Sequence, residues 1–152
     1  MSETRWLTGP EQRAWRGYRR MRALLDLQIT RDLIQDGLSD GDYDVLTGLS
    51  ETPGQRLRLT ELATLMHWST SRLSHQVSRM QRRGLVDREE VAADGRGAEV
   101  VLTAAGLATI EAAAPAHVSS VREHFIDLLT AEQLKVLAEL TETVVDHLSA
   151  AK

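Results

Sequence analysis

Residues 69–84 read STSRLSHQVSRMQRRG. Leu73, Val77 and Met80 recur at i, i+4 and i+7, so a helix built here carries one narrow apolar stripe. Ser71, Arg72, His75, Gln76, Arg79 and Arg82 are assigned to the opposite side, where every long side chain can donate a hydrogen bond and none is acidic. Roughly 16 residues at ~1.5 Å rise make a rod of about 24 Å, long enough to lie in a DNA major groove. Arginine matches the guanine edge and glutamine the adenine edge. The stretch is therefore read as a recognition helix for duplex DNA, against the plainer alternative of an amphipathic surface helix whose cationic face meets only water.

The ends of this helix are legible. Ser69 is an N-cap residue, with Trp68 before it and Leu73 after it at hydrophobic-staple spacing. Arg82 and Arg83 sit in the last turn, where the helix dipole favours cations, and Gly84 follows as the C′ residue.

Charge is distributed unevenly along the chain. The 152 residues carry a net −4, which announces no nucleic-acid partner, yet residues 56–88 hold seven arginines against only Glu61 and Asp87. A basic middle between acidic flanks suits a localised polyanion site. The chain has no cysteine, so disulfides, thiol switches and thiolate-bound metals are excluded together. No apolar run approaches the ~18 residues of a membrane span, and no apolar leader follows the N-terminus. A cytoplasmic protein is expected.

Outward from the recognition helix, residues 60–67 form a short helix, with Thr60 as the expected cap, and His67-Trp68 turns into it. Two helices so joined, the second cationic, make a helix-turn-helix, although the glycine often found in such a turn is missing. On the far side, 85–91 and 98–102 are strand-like around an Asp94-Gly95 turn, which gives a hairpin beside the helix, or wing. Arg96 near its tip is placed to enter a minor groove, and Asp94 is read as a brace that pairs with an arginine and holds Arg96 outward, plain turn chemistry being the alternative. Leu57 and Leu59 flank Arg58 in a very short strand.

The outer segments are helical. Residues 8–36 begin with capping-box spacing at Thr8 and Glu11 and close at Gly37; 39–51 is capped by Ser39. Thr103 caps a helix from 104 to about 128 that Pro115 should kink, and Thr130 to Gln133 form the capping box of a last helix. Their long apolar stripes exceed what a small domain hides, so they are expected to pack on the first helix and on a second copy of the chain. Five arginines crowd the first half of helix 8–36. With Trp15 and Tyr18, Arg22 can line a site for a small aromatic or anionic effector; a solvated or inter-subunit face is the simpler alternative.

These residues resemble the MarR family of bacterial transcription regulators. The resemblance runs from about residue 12 to 148 and rests on Val77-x-x-Met80-x-x-Arg83-Gly84-Leu85-Val86-x-Arg88, on Asp94-Gly95-Arg96 and on Leu102-Thr103-x-x-Gly106. It implies a mainly α (α+β) fold: a single domain over 1–152, with a winged helix-turn-helix lobe at 38–102 and dimerisation helices at 8–36 and 104–150. It implies a homodimer on a double-stranded DNA operator, with Thr70, Ser71, Arg72, Ser74, His75, Gln76 and Arg79 of the helix and Arg96 of the wing at the DNA. It further implies an effector pocket where lobe and dimer helices meet.

Other chemistry finds little support. His117 and His124 share a helix face but lie about 10 Å apart, too far for one metal ion without a ligand between them. No phosphate-binding glycine loop, nucleophile elbow or H-E-x-x-H occurs, and no acid–base pair can be nominated, so neither enzyme, cofactor nor metal is expected. Two alternatives stay open: an interaction or dimerisation module without specific DNA binding, and a small-molecule enzyme built around the Trp15–Arg22 face.

Overall fold

The computed structural model describes residues 4–91 and 97–151. Six α-helices and three strands follow in the order α1 (Gly9–Gln35), α2 (Asp40–Ser50), β1 (Arg56–Arg58), α3 (Leu59–Met66), α4 (Thr70–Arg82), β2 (Val86–Glu90), β3 (Ala98–Leu102), α5 (Ala104–His124) and α6 (Ala131–Ala150). The chain forms two compact units. One is the continuous lobe Gln28–His117; the other takes the chain up to Leu27 and from Val118 onward.

The lobe holds the core. Leu46, Leu49, Leu62, Leu73, Val77, Met80, Val86 and Val100 are fully buried, joined by Leu33 at the end of α1 and by Ile110 and Ala113 of α5. The sheet is antiparallel in the order β1-β3-β2, with Leu57 opposite Val100 and Val86 opposite Leu102. Its buried face closes one side of the α2–α3–α4 packing.

Local chemistry sets the ends. Ser39 and Asp42 form a reciprocal capping box on α2, and Thr130 and Gln133 do the same on α6. Helix α3 starts two residues earlier than Thr60 as cap requires. Arg58 is the cap, and its N–H donates to Glu61 Oε2 at 3.3 Å, so the carboxylate three residues on closes the first turn at Arg58 and leaves Thr60 inside the helix. The turn between α3 and α4 manages without glycine because His67 itself adopts the left-handed conformation, at φ 55°.

Helix α5 ends earlier than the sequence expectation. It runs from Ala104 with Pro115 inside it and stops at His124, short of residue 128, because Phe125 leaves helical geometry and Ile126–Leu128 make a 3-10 turn. Gly106, Ile110 and Ala113 face the core, while Val118 and Leu128 are exposed. Gly106 explains its own place in the motif. A Cβ there would stand 2.0 Å from the Leu85 carbonyl oxygen, so only glycine lets α5 lie against the start of the wing. The Thr103 hydroxyl finishes the junction, 2.6 Å from the Gly84 carbonyl oxygen while accepting the Gly106 N–H at 2.9 Å.

Candidate nucleic-acid interface

Helix α4 is held from one side. Leu73, Val77 and Met80 bury completely, Ser69 Oγ accepts the Arg72 N–H at 3.1 Å, and Gly84 at φ 73° ends the helix. The opposite side is therefore fixed by packing rather than by its own contacts. Thr70, Ser71, Arg72, His75, Arg79 and Arg82 lie outside the core on it, all six exposed. Arg72 lies over the Trp68 ring, 3.8 Å from its centroid, which steadies a long side chain at the N-terminal end. Ser74 accepts from Arg88 Nη2 at 2.9 Å, which ties β2 to the helix.

Gln76 departs from the sequence reading. It is buried, 7% exposed, and not free to meet an adenine edge. At about 100° per residue, Gln76 stands only ~40° from Met80 around the helix, at the edge of the apolar stripe rather than opposite it. Its Nε2 donates to Asp42 Oδ1 at 2.6 Å, and its Oε1 accepts from Arg79 Nη2 at 2.7 Å. Gly41 makes room, since a Cβ there would lie 3.1 Å from Gln76 Oε1 and 3.2 Å from Trp68.

Asp42 and Arg83 are the residues that sequence reasoning missed. Asp42 is 3% exposed, and its Oδ2 pairs with Arg83 Nη1 at 2.5 Å while accepting the Ser39 N–H at 3.0 Å. Arg83 Nη2 also donates to the Gly37 carbonyl at 2.7 Å. The spacing Ser39-x-x-Asp42 was available as a capping-box signal; the partner 41 residues away was not. Arg56 is likewise consumed inside the sheet, paired with Glu89 and, at 3.0 Å, with Glu99. The basic middle of the sequence thus divides: part of it braces the lobe, and Arg72, Arg79 and Arg82 remain on the outer side of α4. Asp94 and Arg96 lie outside the described residues.

In the other unit, Trp15, Tyr18 and Arg22 do come together. The two rings stack with centroids 5.8 Å apart, and the Arg22 guanidinium stands 5.9 Å from the Tyr18 centroid. They form an exposed cluster, Trp15 being 52% and Tyr18 46% accessible. A concavity of about 270 Å³ beside them takes in Trp15 with Trp6, Gln12 and Arg16, but neither Tyr18 nor Arg22.

The lobe contains a cavity of about 340 Å³ lined by Tyr43, Asp44, Glu51, Leu65 and His117 among others. The Tyr43 and His117 rings pack 4.1 Å apart. Burial, and then the neighbouring Asp40, push the Asp44 carboxyl up to about 6, against the pull of Arg72. Burial also lowers the His117 imidazole and raises the Tyr43 phenol. Among the described residues no group of three or more His, Asp or Glu is arranged to hold a metal ion, and no helix is long and apolar enough to cross a membrane.

The sequence profile of the MarR family matches residues 36–97. The transcriptional regulator HosA of Escherichia coli is 34% identical over 110 residues, 72% of this chain and 78% of its own. Two solved structures superpose with TM-scores of 0.92: AbsC, a MarR family transcriptional regulator from Streptomyces coelicolor, is 47% identical over 97% of this chain and 99% of its own. Sco3205, from the same organism and crystallised in complex with DNA, is 40% identical over 97% and 92%.

Proposed function

Because the chain belongs to the MarR family of transcriptional regulators, a family and fold that are not those of enzymes, we propose that it is a ligand-responsive repressor reading a pseudo-palindromic operator as a homodimer. The observation that carries this reading is the outward donor face of α4, backed by a fully buried opposite face. Thr70, Ser71, Arg72, Ser74, His75 and Arg79 are the residues assigned to the major groove, and Arg96 to the adjoining minor groove. Repression then needs only occupancy of the operator. Gln76 supports the helix rather than reading a base.

The homodimer rests on apolar surface. Leu24 and Leu27 of α1 and Leu140, Val144, Val145 and Leu148 of α6 are each 48% or more exposed. A second copy is the partner whose matching stripe covers them, and two-fold symmetry then calls for half-sites about one turn apart, roughly 10 bp. The stacked Trp15–Tyr18 pair and Arg22 support a small aromatic or anionic effector in the other unit. A regulator of genomic DNA belongs in the cytoplasm.

The test is operator binding by a duplex that the protein itself enriches from a random-sequence library. Arg72→Ala and Arg79→Ala should each cost about 1–3 kcal/mol and relax preference at one position, and affinity should fall steeply with added salt. Variants that bind like the parent would remove α4 as the reading element.

A further inference from the structure

Three partners meet on one buried carboxylate, and their chemistry fixes a direction. Asp42, ionised and paired with Arg83, accepts only; it has no proton to give. The Gln76 amide must therefore turn its NH2 toward Asp42, at 2.6 Å, which leaves its carbonyl facing outward. That carbonyl is what Arg79 Nη2 finds at 2.7 Å. The flipped amide would set oxygen against carboxylate and NH2 against guanidinium, two repulsive contacts in place of two attractive ones. Asp42 in turn is anchored: Arg83 holds Oδ2 from the end of α4, and the capping box holds it from α2. Gly41 without a Cβ lets Gln76 approach.

We infer that Asp42 is a positioning residue for DNA recognition, acting through the Gln76 amide to hold the Arg79 guanidinium in the orientation it uses at the groove. Free arginine loses rotamer freedom on binding; one whose fork is already fixed loses less. Only one of five N–H donors of Arg79 is spent on Gln76, so the rest stay available to a base edge or phosphate. The inference rests on the assignment of Arg79 to the interface made above.

A double-mutant cycle separates this from a merely structural role. Gln76→Met keeps volume and burial but deletes the acceptor; Asp42→Asn keeps shape but can present NH2 or oxygen, so it no longer dictates which way the amide turns. Each should weaken binding to the parent-enriched duplex by about five- to tenfold in the full-length protein. In an Arg79→Ala background neither should weaken it further. Losses that add to that of Arg79→Ala, or single variants that bind like the parent, overturn the inference. Should Asp42→Asn fail to fold, the cycle through Gln76→Met decides alone. If the parent enriches no duplex, the proposed function falls, and the relay is judged without DNA. The guanidinium NMR signals of Arg79 then report faster rotation in Gln76→Met if the relay exists, and are unchanged if it does not.

Discussion

In the Gln28–His117 lobe, Leu46, Leu49, Leu62 and Leu73 are wholly buried, whereas in α6 Leu140 and Leu148 remain 49% and 61% exposed. Both segments repeat leucine at helical spacing, so periodicity alone does not separate them. The difference lies in what surrounds each stripe. The lobe gathers α2, α3, α4 and one face of the sheet around one centre, and its leucines leave water within the chain. Helix α6 has no buried residue at all among those described. A stripe with that pattern and that exposure is stable in water only if something else covers it, at roughly 25 cal/mol per Å² of apolar surface. The lobe should therefore owe its stability to itself, and the arms should owe theirs to protein concentration.

The largest expected effect falls on the lobe. Gly106→Ala places a methyl group 2.0 Å from the Leu85 carbonyl oxygen and 2.8 Å from a Leu102 methyl, against backbone that cannot swing aside. We expect a loss of about 3 kcal/mol or more in denaturant unfolding, the same at every protein concentration. A smaller loss would mean that α5 can slide on the wing, and that the lobe is looser than its packing indicates.

The arms should break differently. Leu140→Glu with Val144→Glu puts two charges on an exposed stripe, where a monomer loses little. Sedimentation should show the double variant as a monomer, with a melting midpoint no longer dependent on concentration and with operator affinity reduced by about tenfold or more, since one lobe then binds alone. If it stays dimeric, the covered face lies elsewhere on the arms.

The same contrast explains which parts of the molecule were legible in the sequence. Ser69, Gly84, Thr130 and the Ser39 cap all act over three or four residues, so their spacing carries the information. Thr103 and Gly106 were legible as a motif, but their reason is contact with Gly84 and Leu85, which only the fold supplies. Gln76 belongs to the core side for the converse cause. Its position beside the stripe is ambiguous by a few tens of degrees, and the residue that resolves it, Asp42, lies 34 positions earlier. Thr60 lost the cap to Arg58 because Glu61 offers a charged acceptor from within the first turn. Polar partners at long range are invisible to periodicity, and the site is built largely from them.

The smallest effect tests whether the lobe also carries an electrostatic cost at its own edge. Asp44 titrates at about 6 in the folded protein against an ordinary 3.8. Between those values the folded lobe keeps a proton that the unfolded chain has released, so stability declines as pH rises through this window and the cost is complete above about 6. Asp44 is exposed on its outer side, so water screens much of that cost. Asp44→Asn removes the charge without changing the shape. Its melting midpoint should exceed the parent's by about 2 °C at neutral pH and coincide with it near pH 3, below both values, where the parent's carboxyl is protonated folded and unfolded alike. An advantage of equal size at both pH values would trace the gain to packing, and would free Asp44 of the repulsion that Asp40 and the partial burial impose.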